Sequence, residues 1–118
     1  MFQNTREVPL FGRIYLLYLS AHRYLRSLQK IERHTLGEKI DNEIFNLLRA
    51  ISKIKYAHRE NKIYELDRIL ETADFIKVIF RVMNELDILP INKYIDFVKL
   101  ADEIGRMSNG YKKYLLIK

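Results

Sequence analysis

The sequence predicts an all-α protein, an up-down antiparallel four-helix bundle, and three observations carry that expectation. Apolar residues recur at steps of three and four through four separate stretches, the period of helices with one buried face. The connections between those stretches are short, which makes successive helices antiparallel neighbours. No segment alternates with a period of two around a hairpin turn, and there is no repeat or low-complexity segment. With 118 residues and 48% hydrophobic content the chain reads as one domain, long enough to bury about 65% of its unfolded surface without staples.

The first helix is expected over 10–31, opening near Pro9, which a first turn tolerates. Its buried stripe is Leu10, Ile14, Leu17, Ala21, Leu25 and Leu28, while Arg23, Arg26 and Lys30 share another face. Glu32 to Thr35 make a polar corner. Thr35, with Glu38 three residues on, has the form of a capping box and starts the second helix, expected over 36–60. The stripe of that helix is Leu36, Ile40, Ile44, Leu47, Leu48, Ile51 and Ile54. Opposite it lie Phe45, Arg49, Lys53 and Tyr56, an exposed aromatic and basic mixture suited to nucleotide stacking or to a second subunit.

Asn61 and Lys62 then turn the chain into a third helix, expected over 63–87 and free of glycine and proline. From Ile69 to Leu86 its apolar residues cover an arc of about 220°, far beyond the roughly 100° stripe of a surface helix. One neighbouring layer cannot cover that surface, so a second subunit is expected on the far side. Lys77 and Arg81, at i and i+4, are the only polar residues between Phe75 and Met83 and the first candidates for a binding site. Pairing with Asp74 and Glu85 is the plain alternative, though exposed pairs contribute only about 0.3–0.5 kcal/mol each. Pro90 ends this helix. The fourth, expected over 91–109, carries Tyr94, Phe97, Val98, Ala101, Ile104 and Ser108 on one face. Asn109 and Gly110 are expected to stop it, leaving 111–118 as a basic extension with Lys112, Lys113 and Lys118.

The chain carries net charge +6, with a sequence pI near 9.5, and the excess is segregated. From Val8 to Ile31 and again from Ile44 to Arg59 there are four cations each and no acid. Such stretches attract polyanions, nucleic acid above all, and the plain alternative is that these Lys and Arg only solubilise exposed faces. The absence of cysteine excludes disulfides and thiolate chemistry and fits a reducing cytoplasm. The polar stretch Met1 to Glu7 is neither a secretory signal nor an anchor, and no run of about 18 apolar residues marks a membrane span. His22, His34 and His58 share no metal-ligand spacing, and the four glycines are isolated, so neither a metal nor a phosphate-binding loop is expected. Asp102 and Glu103 are read as ion-pair partners of Arg106 rather than catalytic acids. No enzyme and no cofactor is expected.

Three blocks carry a family resemblance: His34-Thr35-Leu36-Gly37-Glu38-Lys39-Ile40-Asp41, the helix with Lys77 and Arg81, and Asp102-Glu103-Ile104-Gly105-Arg106-Met107 followed by Gly110-Tyr111. Together they resemble the accessory variability determinant (Avd) proteins of diversity-generating retroelements, over about Val8 to Tyr114. Those belong to a wider superfamily of four-helix bundles that includes proteins encoded in intervening sequences of bacterial large ribosomal RNA. The resemblance implies a homopentameric ring with a basic surface, nucleic-acid binding, and association with the retroelement reverse transcriptase in cDNA synthesis from template RNA. It maps the family's basic pair onto Lys77 and Arg81, and gives Gly105 the role of letting a neighbouring helix approach. Arg49, Lys53, Arg23, Arg26 and Lys30 form a second, outer candidate patch. The competing reading, of a different class, is a structural or protein-interaction bundle whose basic surface takes an acidic partner.

Overall fold

A computed structural model describes residues 5–117, so Met1 to Asn4 and Lys118 of the basic tail lie outside the described residues. Helix α1 spans Glu7–Leu25, and a short α2 spans Lys30–Glu32. A π-helical turn, Arg33–Gly37, leads into α3, Glu38–Ile54. Helices α4, Arg59–Glu85, and α5, Ile91–Ile117, complete the chain. There is no strand among the described residues. Contacts run α1 to α3, α3 to α4, α4 to α5 and α5 back to α1, which closes an up-down four-helix bundle 47 Å long and about 20 Å across.

The predicted stripes are the core. Leu10, Ile14, Leu17 and Ala21 of α1 meet Ile40, Ile44, Leu47 and Ile51 of α3, all at most 1% exposed. From α4 come Leu66, Ile69, Ile76, Phe80 and Met83, and from α5 Phe97, Ala101 and Ile104. Phe80 and Phe97 pack with ring centroids 5.2 Å apart, and Tyr24 meets Phe97 edge-on at 6.3 Å, which ties three helices at one end. The outer part of the α4 arc stays uncovered within one chain: Phe75, Val78 and Leu86 are more than half exposed.

Several helix boundaries differ from the expected ones, each for a local reason. α1 stops at Leu25, not 31, because the Ser27 hydroxyl and amide both donate to the Tyr24 carbonyl, at 2.6 and 2.9 Å, and tighten the chain into a turn. The corner is therefore 26–29, with Gln29 extended before α2. Residues 32–35, expected as the corner, are helical, and Thr35 caps nothing. Its hydroxyl donates back to Ile31 O at 2.9 Å, as a threonine inside a helix does, while Glu38 pairs with His34. α3 ends at Ile54, not 60; Tyr56 N and Ala57 N close onto Lys53 O and Ile54 O, and His58 is extended before α4. Asn61 and Lys62, expected as a turn, lie inside the first turn of α4.

At the other end of α4, Asp87 adopts the left-handed conformation, φ 61°. The amides of Ile88 and Asp87 donate to Met83 O and Asn84 O, the 6→1 and 5→2 pair that satisfies the last carbonyls. α5 runs through Asn109 and Gly110 to Ile117 because Tyr111 and Leu115 are buried against the bundle, and that burial outweighs a glycine's cost in a helix. The expected close approach at Gly105 is absent: an added Cβ there would meet nothing within 4 Å.

Candidate nucleic-acid interface

The cations divide by whether an acid holds them. Lys77 Nζ donates to Asp102 Oδ1 of α5 at 2.8 Å and lies 3.3 Å from Asp74 Oδ1, so it clamps α4 to α5. The hydrogen bond that Lys77 donates to Asp102 is the main cause that raises its ammonium above the usual range. Arg81 Nε reaches Glu85 Oε1 at 3.4 Å on an exposed face. Glu103 pairs with Arg13 of α1 at 2.6 Å, and Asp67 with Lys112 at 2.6 Å. Asp102 and Glu103 thus bridge helices rather than pairing with Arg106, which corrects the single-helix reading of that block.

Arg23, Arg26, Lys30, Arg49 and Lys53 are exposed and form no ion pair among the described residues. They do not form one patch. Arg23, Arg26 and Lys30 surround the corner that ends α1, the end where His22 bonds Asp41 and the Tyr24 hydroxyl donates to Ile88 O. Arg49 and Lys53 lie in the last two turns of α3, near the opposite end of the bundle. At 1.5 Å per residue, Lys30 and Lys53 are separated by about 35 Å along the rod. Phe45 and Tyr56 flank the second cluster, 48% and 82% exposed, with Lys55 Nζ 4.9 Å from the Tyr56 ring centre. Arg33 joins the first cluster and was hidden from the sequence reading by its placement in a corner; an arginine between His34 and Glu32 carried no distinguishing signal.

The end that holds Arg49 and Lys53 also contains a buried polar seam that the sequence did not reveal. Glu7, 3% exposed, accepts from Lys62 Nζ at 2.9 Å and from the Tyr111 hydroxyl at 2.6 Å. Arg59 donates to the Leu115 and Leu116 carbonyls at the C-terminus of α5, where a cation is favoured by the helix dipole. Burial first, then the hydrogen bond to Glu7 and its charge, push the Tyr111 phenol well above its ordinary range. In the unfolded chain that phenol titrates near pH 10, so the folded protein keeps a proton that the unfolded chain releases. The resulting stabilisation is complete below about pH 10 and is lost as the pH rises further. Unfolding free energy measured from about pH 9 to 11 is expected to fall, and Tyr111→Phe to flatten that fall; an unaltered slope in the variant would assign the loss to other groups.

No helix among the described residues is long and apolar enough to cross a membrane, and no group of three or more His, Cys, Asp or Glu there could hold a metal ion. The chain matches no curated relative and no solved structure. A family model described as bAvd-like matches residues 11–115, which covers most of α1 and α5, all of α3 and α4, and both basic clusters. By that match the protein, an all-helical bundle of the Avd type, belongs to the bAvd-like family.

Proposed function

We propose that this chain is a non-catalytic, nucleic-acid-binding accessory subunit of a diversity-generating retroelement. In this role it works in the cytoplasm with the reverse transcriptase to support mutagenic cDNA synthesis from template RNA. The observation that carries the reading is the pair of basic clusters, whose cations form no ion pair among the described residues, toward the two ends of an Avd-type bundle. Unpaired guanidinium and ammonium groups on helix surfaces offer charge to phosphates and no groove-reading element, so binding is dominated by the backbone and falls steeply with salt. Lys77 and Arg81 remain part of the interface, with a smaller share, because Asp74, Asp102 and Glu85 must release them before they meet a phosphate.

Self-association belongs to the same proposal. The uncovered stripe of Phe75, Val78 and Val82, with Leu36 beside it, lines one side of an open groove of about 490 Å³ whose other side carries Lys39, Asn42 and Glu43. A second copy covering it, repeated into a homopentameric ring, would multiply both clusters around an axis. A bundle that instead takes an acidic protein partner is the second reading, favoured by the same exposed apolar stripe beside unpaired cations.

A salt-matched titration with single-stranded RNA, with light scattering on the same samples, decides between them. Arg23→Ala with Arg26→Ala and Lys30→Ala is expected to weaken binding by about tenfold or more, and Arg49→Ala with Lys53→Ala similarly. Lys77→Ala with Arg81→Ala is expected to fall by less. Folded, correctly assembled variants that bind as the parent does would remove the nucleic-acid reading, and a clean 14.2 kDa monomer at micromolar concentration would remove the ring.

A further inference from the structure

At the corner between α1 and α3 lies an open cavity of about 470 Å³, within the size range of small-ligand sites. The π-helical turn shapes its wall. A π turn carries one more residue than an α turn, and such turns are frequent at functional sites. Gly37 lies on that wall, where an added Cβ would be 3.0 Å from the Glu32 carbonyl oxygen and 3.7 Å from Leu25, so a side chain there would press on the backbone of the π turn that shapes the cavity.

The charged lining has a particular order. Arg26 and Arg33 both face the cavity, and neither forms an ion pair among the described residues. His22 and His34 line it as well, each engaged through Nδ1 by a carboxylate: Asp41 at 3.0 Å and Glu38 at 3.1 Å. His22 is also stacked on Tyr18, with ring centroids 5.5 Å apart. The two acids of the lining are therefore already occupied by imidazoles, while the two guanidiniums are not. An imidazole that gives its Nδ1 proton to a carboxylate keeps Nε2 for another partner and becomes a donor there when protonated.

Two free guanidinium forks with two oriented imidazoles exceed what the two oxygens of a carboxylate can use. They match the three terminal oxygens and the multiple charge of a phosphate ester, which arginine takes bidentately. The volume leaves space beyond the phosphate for the sugar and base that carry it. We propose that this cavity binds a phosphomonoester, the terminal phosphate of a nucleotide, held by Arg26 and Arg33 with His22 and His34 beside it. This assignment rests on the nucleic-acid reading only for the source of the phosphate, which is either the 5′ end of a strand or a free mononucleotide.

The test separates those sources. Calorimetric titrations use adenosine 5′-monophosphate, inorganic phosphate and unphosphorylated adenosine. Short RNA strands of one sequence are compared with a 5′-phosphate and with a 5′-hydroxyl. Adenosine 5′-monophosphate is expected to bind where adenosine does not, and the 5′-phosphorylated strand to bind about tenfold more tightly than its counterpart. Arg26→Ala with Arg33→Ala should abolish both preferences. Arg23→Ala with Lys30→Ala removes the same charge at the same end but outside the cavity, and should weaken both strands while keeping the preference. All four arginine and lysine side chains are exposed, so circular dichroism should show both variants folded.

A mononucleotide preference without a strand preference supports the site and assigns it to free nucleotides. Binding of adenosine 5′-monophosphate with no binding of either RNA also supports the site and sinks the nucleic-acid reading alone. Equal binding of adenosine and its monophosphate, or a preference that survives loss of both arginines, overturns the assignment.

Discussion

Truncating Phe80 to alanine is expected to lower the unfolding free energy by about 3–5 kcal/mol, the usual cost of deleting a fully buried aromatic side chain. The ring is 1% exposed and packs on Phe97, which in turn meets Tyr24, so its removal leaves a cavity bordered by α1, α4 and α5 together. Those neighbours cannot collapse into the gap easily, because the Tyr24 hydroxyl is fixed at 2.8 Å to the Ile88 carbonyl and Pro90 follows closely behind. Urea denaturation at one fixed protein concentration checks the value, since any self-association adds to apparent stability. A loss under about 1 kcal/mol would mean that the three rings do not form a packed unit.

Lys62→Met is expected to cost about 3 kcal/mol or more, although it replaces a partly exposed cation with an apolar side chain of similar length. The reason lies with the partner: the Glu7 side chain is 4% exposed and, among the described residues, would keep the Tyr111 hydroxyl alone as donor, leaving a buried carboxylate without the Lys62 countercharge. Adding Glu7→Gln to the same chain removes the stranded charge and should recover much of the loss. A double-mutant cycle by denaturant unfolding measures the coupling directly. A double variant no more stable than Lys62→Met alone would show that the ammonium contributes through packing and not through the ion pair.

Buried stripes were legible because they depend on a period that any helix imposes: Leu10 to Leu25, Ile40 to Ile54 and Phe97 to Ser108 all lie where their spacing puts them. Boundaries were not, since the signals that set them are ambiguous out of context. Thr35 with Glu38 has the same letters whether the threonine caps a new helix or back-bonds inside an existing one, and only the chain before it decides. Asn109-Gly110 ordinarily ends a helix, yet the residues that overrule it, Tyr111 and Leu115, act through partners 49 and 56 positions away, Lys62 and Arg59. The candidate site was legible as a set of residue types. Which cations are free was not, because Lys77, Arg13 and Lys112 are each held by an acid on another helix, and spacing along one helix says nothing of that.

The length of the bundle has an electrical consequence. At physiological ionic strength the screening length is about 8 Å, whereas Lys30 and Lys53, the outermost members of the two clusters, stand about 35 Å apart, and Arg23 and Arg49, the innermost, about 14 Å apart along the axis, since His22 lies beside Asp41. The outer cations of each end therefore set their own potential, and charge removed from one end is only weakly sensed at the other. Free-energy losses from neutralising the two ends should then simply add. A flexible polyanion long enough to reach both ends gains from tethering: once one end is engaged, the second meets its phosphates at an effective concentration set by the span.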